Sequence, residues 1–426
     1  MSKPSILSTL EGQFTELTQK MNGSASSASH EARKNAFDAV LNLGLPTRKN
    51  EEYKYTPISS LFEKAFEDFT YGESDASQTD GSLLPDVQGS ILVFTNGNYN
   101  ETLSSIKEEK GVSITVIKNQ KDFPAIETAD SLDRFSNLNL ALAATGVDIK
   151  VGKSVIASHP IHIINLVNTN KSRVISTLRH TADIGENAQA TIVEYFIGQG
   201  EQTGFSNTVV ESKVAKNAVF THYKLGMDGA ADLRIDNTTC RQESNSVFNT
   251  LNLNYGGKVV RNNLNILLDG EFCESNLDGL YIPSDGSLID HHTVVDHRMP
   301  NSVSNELYKG IMGENATGVF NGKVFVRKDA QKTNAFQSNK NILLSDTATI
   351  NTKPQLEIWA DDVKCSHGCT TGQLDPEQLF YLRARGLDEV NARKLLLKAF
   401  AEQIVDKIKI EEVKDIAEAL LDKKLA

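Results

Sequence analysis

Cysteine is scarce in this sequence: Cys240, Cys273, Cys365 and Cys369 are four residues in 426, too few for a disulfide framework. The opening MSKPSILSTLEGQF turns polar and acidic at once and shows neither the basic nor the apolar segment of an export signal. A reducing, cytoplasmic setting with free thiols is the expectation. No run of some 18 apolar residues occurs, so no membrane-spanning helix is expected. Positive charge is also in deficit. A formal net charge of −11 argues against nucleic acid, whose binders carry a basic face.

Signatures of common enzymes are missing as well. Nothing matches G-x-x-x-x-G-K-[ST]; Gly313, Gly318 and Gly322-Lys323 have the wrong spacing, so the chain should not itself hydrolyse ATP. G-x-G-x-x-G after a strand, H-E-x-x-H and G-x-S-x-G are all absent. No catalytic machinery is expected.

What is present falls into four stretches. Residues 1–72 are helical in pattern: Leu7, Leu10, Phe14, Leu17 and Met21 recur at the 3,4 spacing of one helix face, a loop over residues 22–29 follows, and Phe37, Val40 and Leu41 continue the apolar face up to a C-cap at Gly44. Residues 73–89 have the composition of a linker or surface loop. Residues 90–370 show short alternating runs, such as Ile161, Ile163 and Val167, or Val260, Leu264, Ile266 and Leu268, with no helical period. Roughly a dozen strands with short loops make one long all-β unit. A sandwich, barrel or propeller competes there with a parallel β-helix, whose turns Asn249, Asn252, Asn262, Asn263 and Asn265 would suit. Residues 371–426 return to helix. Asp375-Pro376-Glu377-Gln378 forms a start signal, Gly386 a stop, and Asp388 opens a second helix with Ala392, Leu395, Leu396, Ala399, Phe400 and Ile404 on one face. Val413, Ile416, Ala417, Leu420 and Leu421 form the stripe of a third. Such stripes pack a core or dock a partner.

Two clusters carry metal-binding side chains. Asp290-His291-His292 with Asp296-His297 suggests a metal hydrolase. In a strand, however, His291 and His297 share a face about 20 Å apart, and His292 and Asp296 share the other about 13 Å apart. Ligands sit about 2 Å from one ion, so a hydrogen-bonded structural or interface cluster is the expectation. The second is Lys364-Cys365-Ser366-His367-Gly368-Cys369. Extended, Cys365, His367 and Cys369 face one way at about 6.6 Å steps. Thiolates and imidazole suit iron, zinc and sulfide clusters. Three donors are one short of a closed tetrahedral site, which fits a transient site completed by another subunit. A buried Cys365 and a hydrogen-bonded His367, oriented from Asp361 or Asp362, is the plainer alternative.

Taken together, DHHTVVDH, YKGIMGENATGVFNGKVFV, AQKTNAFQSNKNILLSD, KPQLEIWADDVKCSHGCTTGQLD and LFYLRARG, in order over residues 290–386, resemble the SufB/SufD family of iron–sulfur cluster assembly scaffold proteins. EEYKYTPISSLF at residues 51–62, with Tyr53 in place of an expected tryptophan, and FSNLNLALAATGVDIKV at residues 135–151 also fit; residues 160–285 match in texture only. C-S-H-G instead of an acidic E-H-E-A segment places the likeness on the SufD side of the family. The resemblance implies a mainly β fold, a right-handed parallel β-helix flanked by helical N- and C-terminal regions. It implies a scaffold in complex with a SufB-like paralogue and a SufC-like ABC-type ATPase, with a homodimer as the alternative for the isolated chain. It places His367, with Cys365 beside it, at the paralogue interface as a transient ligand of iron or a nascent cluster, with no cofactor stably bound by the chain alone. ATPase docking falls to the C-terminal helices, around Asp375, Phe380, Arg383, Arg385, Leu395 and Phe400. Cys369 carries no implied role. The rivals from other classes are a β-helix carbohydrate-active enzyme and a metal-dependent hydrolase using Asp290, His291, His292, Asp296 and His297.

Overall fold

The period-two alternation builds strands that stack into a two-sheet parallel β-helix. The computed structural model describes residues 6–20, 28–66, 81, 84–120, 123 and 133–425. The expected positions of Met21, of the loop over residues 22–27 and of the linker residues 73–80, 82 and 83 lie outside these. Successive strands alternate between a ten-stranded and a nine-stranded sheet, so each turn gives one strand to each. Parallel partners lie between 26 positions apart, as for Leu233 and Val259, and 33, as for Thr145 and Leu178, except Ser90–Thr95, which pairs 71 positions on with Ile161–Leu166. One end of the rod is capped by antiparallel pairing, Val112–Ile117 on Thr145–Val151 and Ser90–Thr95 on Asn98–Tyr99. At the other end Thr349–Ile358 and Lys364–Gly372 are the last strands of their sheets, each paired on one edge.

Alternation sorts residues between the rod interior and its two flanks. Ile161, Ile163, Phe220, Phe248, Val260, Leu264, Ile266 and Leu268 fill the interior. The opposite parity of the ten-stranded sheet, including Ile164, Leu166, Tyr223, Leu225, Leu251 and Leu253, is covered by C-terminal helices. On the nine-stranded sheet Ile175, Phe205, Leu233, Ile235 and Val259 meet N-terminal helices. The strands are thus apolar on both faces, as in parallel sheets covered on each side.

The helices are α1 (Ile6–Lys20), α2 (Ala28–Leu43), α3 (Ile58–Ala65), α4 (Arg134–Leu142), α5 (Pro376–Ala384), α6 (Glu389–Val405) and α7 (Glu411–Lys424). Among the described residues none is long and apolar enough to cross a membrane. α4 corrects the expectation of a helix-free stretch over residues 90–370. Asp133 caps it by accepting from the Phe135 N–H, and seven of its nine residues are buried. Its buried residues fall all round the helix, Ser136 and Asn139 among them, so polar and apolar positions do not separate into a helical period. Asn139 lies inside it and donates to the carbonyls of Leu178 and Asn207 at 2.9 and 2.9 Å, pinning it to the sheet.

The asparagines need a second correction. Asn249 and Asn252 lie in the strand Val247–Asn254, and Asn262, Asn263 and Asn265 in Val259–Leu268, not in turns. Their amides bond between strands: Asn276 donates to Asn249 at 3.0 Å, Asn305 to Asn276 at 3.1 Å, and Asn263 to Asn237 at 2.8 Å. The asparagines at left-handed turn positions are Asn96, Asn187, Asn217, Asn245 and Asn301, with φ from 51° to 65°, beside Ser154, Phe272, Glu314 and Lys332; asparagine is among the side chains that tolerate this conformation best.

Asp375 and Asp388 cap α5 and α6, accepting from Glu377 N–H and Asn391 N–H, and Gly386 ends the first of these at φ 98°. α6 is apolar on two sides. Leu397, Ala401, Ile404 and Val405 pack on the rod with Val413, Ala417 and Leu421 of α7, whereas Leu395 is 45% exposed on the other side. The single stripe expected for α6 therefore splits in two, and Phe400 falls on the rod side, its ring 4.2 Å from the Lys309 ammonium.

Candidate functional site

Strand geometry disperses the Asp290–His297 cluster as its spacing predicted. The odd positions point inward. His291 is buried between the rings of Tyr281 and Tyr308, at 5.1 and 5.0 Å. His297 is buried with Nε2 2.9 Å from Ser304 Oγ. Burial pulls these imidazoles down to about 3 and about 4, so both are neutral at physiological pH. The even positions point out. Asp296 pairs with Arg327 at 2.7 Å and Arg298 at 2.9 Å.

Asp290 and His292 fasten the N-terminal segment to the rod. The Asp290 carboxylate accepts from Arg261 Nη1 at 2.8 Å and from the Thr56 hydroxyl. His292 bridges the two chain regions, with Nε2 3.0 Å from Asp290 and Nδ1 3.3 Å from Glu52. Lys323 reaches Glu52 at 2.5 Å, and Arg261 lies 3.9 Å over the ring of Tyr53. Among the described residues no three His, Cys, Asp or Glu side chains are gathered as a metal site. The cluster is a clamp.

Burial would raise the Asp290 carboxyl, but His292 and Arg261 overcome it and hold it at about 2. The hydrogen bond with His292 is the chief cause that brings Glu52 to about 2, against its partial burial and with help from Lys323. Lowered carboxyl values mean that the unfolded chain takes up protons first. The stabilisation is therefore complete above about pH 5 and is lost as the pH falls towards about 2. Urea midpoints measured between roughly pH 6 and pH 3 should drop with acid in the wild type and drop less steeply in Glu52→Gln. Equal slopes would remove Glu52 from the clamp.

Cys365, His367 and Cys369 lie on the last strand of the ten-stranded sheet, in register with Ala335, Gln337 and Asn339. All three of these partners are buried. The shared parity turns the three donors toward the interior side at the open end. Apart from half-buried Cys365, every residue of Lys364–Gly372 is exposed. Cys365 packs on a small apolar group of Val324, Val326, Ala330, Ala335 and Ala360, and burial raises its thiol above the usual range. Cys369 Sγ lies 3.4 Å from Thr352 Oγ1. Asp361 and Asp362 stay in the preceding turn, where their N–H groups donate to Gln331 at 3.3 and 2.9 Å. A cavity of about 490 Å³ beside His367 is lined by Lys340, Asp278 and Lys407 among others.

Two buried residues below His367 had gone unnoticed. Gln337 donates to the Glu306 carboxylate at 2.6 Å, and burial lifts that carboxyl to about 7. The available signal was a carboxylate at a core-parity position, between Ser304 and Tyr308.

At the C-terminal flank, α5 and α6 enclose an open groove of about 1060 Å³, lined by Asp375, Phe380, Tyr381, Leu395 and Leu396 among others. Phe380 is 74% exposed. Arg385 stacks 5.3 Å from the Tyr381 ring and Arg383 lies 3.5 Å from Glu389, while the charged residues lining the groove are Asp375 and Glu377.

Comparison with known proteins matches residues 166–400 to the SUF system FeS cluster assembly SufBD core domain and residues 6–163 to the SufBD protein N-terminal region. The core match takes in the stretch that had shown only texture. The iron–sulfur cluster assembly protein SufD of Escherichia coli is 31% identical over 91% of this chain and 90% of its own. An iron–sulfur cluster assembly SufBD family protein of Synechocystis is 33% identical over 88% and 86%. SufD of Bacillus subtilis is 25% identical over 86% and 82%.

Proposed function

Because the chain belongs to the SufBD family of iron–sulfur cluster assembly proteins, we propose that it is a cytoplasmic scaffold subunit whose open rod end pairs with a SufB-like paralogue. The observation that carries this reading is the asymmetry of the rod. Antiparallel strands cap one end, while at the other both sheets finish on strands with a free backbone edge. A free edge is a template for strand addition, and natural proteins cover or blunt those they do not use. Here Lys364–Gly372 leaves one of those edges exposed along its length and carries an imidazole and two thiols.

Pairing at that edge would bring a second set of donors to His367 and Cys365. Iron and sulfide would then meet as cargo at a seam between two chains, with no cofactor stably held by the isolated subunit. ATP hydrolysis belongs to a SufC-like subunit docked in the α5–α6 groove, since the chain has no phosphate-binding loop. Movement of two docked ATPases would shift the rods and expose the ligands. Phe400, on the rod side of α6, supports that groove from behind.

Co-expression with a SufB-like chain and a SufC-like ATPase, followed by purification through a tag on this subunit, tests the assembly. A complex containing all three is expected; elution as a homodimer in the presence of both would overturn the reading. Phe380→Glu places a charge on the groove floor. It is expected to cost about 2 kcal/mol or more of ATPase binding, roughly 30-fold in Kd, while the paralogue stays bound.

A further inference from the structure

We propose that the interior of the last rod turns is a binding well for a divalent first-row cation, anchored by the Glu306 carboxylate with Gln337 and Thr293 as neutral oxygen donors. Glu306, Gln337 and His367 occupy one register position on three consecutive strands of the ten-stranded sheet. Thr293 comes from the opposite sheet, its hydroxyl close enough to act on the Glu306 carboxyl. These side chains are nearly closed to solvent, Glu306 at 5%, Gln337 at 3% and Thr293 at 1% exposure. Yet Glu306 Oε1 and Gln337 Oε1 lack a hydrogen-bond partner, and the Thr293 hydroxyl has none besides the Glu306 carboxyl.

A buried polar atom without a partner is destabilising. Two oxygens left over at one register position, beside that hydroxyl, point to an occupant, and one that is electron-poor. The fold also makes room. Gly322 pairs with Thr293, and a Cβ there would stand 2.1 Å from Gln337 Nε2. Leu277 pairs with Glu306 and Leu264 with Thr293, and both belong to the apolar core. These leucines close the floor, so an ion entering from the open end stops at Glu306. Carboxylate, amide and hydroxyl oxygens favour ions such as Mn²⁺ and Mg²⁺, while the imidazole and thiols at the mouth favour iron. A first-row divalent ion accepts both sets. The well thus fits a staging position from which ferrous iron passes to His367; only that destination rests on the proposed function.

Titration of the purified full chain with Mn²⁺, following the loss of the free-ion electron paramagnetic resonance signal, tests the well. Wild type should show one site. Glu306→Gln, which keeps size and the contact to Gln337, should weaken it by more than about tenfold, and Gly322→Ala, which crowds Gln337, by about tenfold. His367→Ala should bind as wild type does. No binding by wild type would mean that water alone fills the well, and unchanged binding in both Glu306→Gln and Gly322→Ala would equally overturn the proposal. Loss in His367→Ala alone would place the ion at the mouth, removing the inner well while leaving the cluster role of His367 standing. Should Glu306→Gln not fold, the Gly322→Ala affinity decides.

Discussion

A His367→Ala chain is expected to fold, to enter the proposed complex with a SufB-like paralogue and a SufC-like ATPase, and to yield almost no cluster when that complex is given ferrous iron and a sulfide source. The first two outcomes follow from exposure. His367 sits on an edge strand that is exposed around it, and substitutions at such positions usually change stability by no more than about 0.5 kcal/mol. The third follows from chemistry. Cys365 is half-buried with a raised thiol, so it needs a metal already nearby to become a thiolate, and His367 is the neighbouring donor on the same face. Without the imidazole the first ion has no anchor on this side of the seam. Iron and sulfide content of the purified complex should fall at least about tenfold. His367→Cys should restore part of it, because a thiolate can take the same position, and a merely structural histidine would not be rescued this way. Normal cluster yield in His367→Ala would leave the seam without its ligand.

The Asp290–His297 tract shows what sequence makes visible and what it hides. Alternation alone separated His291 and His297 from His292 and Asp296, and the rod keeps them apart. It was silent on which face was which. The partners that decide this, Glu52, Thr56 and Arg261, are 240, 234 and 29 positions from the His292 or Asp290 they contact, and nothing local encodes such contacts. The same limit explains the asparagines. Left-handed turns and interstrand ladders both favour this residue, so Asn252 and Asn217 look alike until the stacking of turns is known. Strand existence was legible because its signal is local and repeated. α4 was not, because burial on every side mixes its polar residues, Ser136, Asn137 and Asn139, with apolar ones and leaves no helical period. At the site, the donors of Lys364–Gly372 were plain from their types and spacing, whereas Glu306 and Gln337 became part of it only through register across three strands.

Asp236→Asn is expected to destabilise the chain by about 3–5 kcal/mol, the usual result of removing one partner from a buried ion pair. Asp236 lies at the centre of a charged bridge across the rod interior. Its two oxygens are 2.6 Å from Lys224 Nζ and 2.6 Å from Arg234 Nη1. Arg234 also reaches Asp228 at 3.0 Å and stacks 4.0 Å over the Phe196 ring, and Lys224 lies 3.9 Å from Glu194. Lys224, Arg234 and Asp236 are at most 3% exposed, so two cations would be left without their shared anion where water cannot replace it. The damage should also be local. Each turn of a stacked rod is held by its neighbours, so amide exchange should quicken in Val219–Met227 and Leu233–Gln242 far more than in the last turns. A double change, Lys224→Met with Asp236→Leu, leaves Arg234 with Asp228 and Glu194 with His222, and should recover much of the loss. If the double variant were as unstable as Asp236→Asn, packing volume rather than uncompensated charge would account for the effect, because only a charge imbalance is relieved by removing its second member.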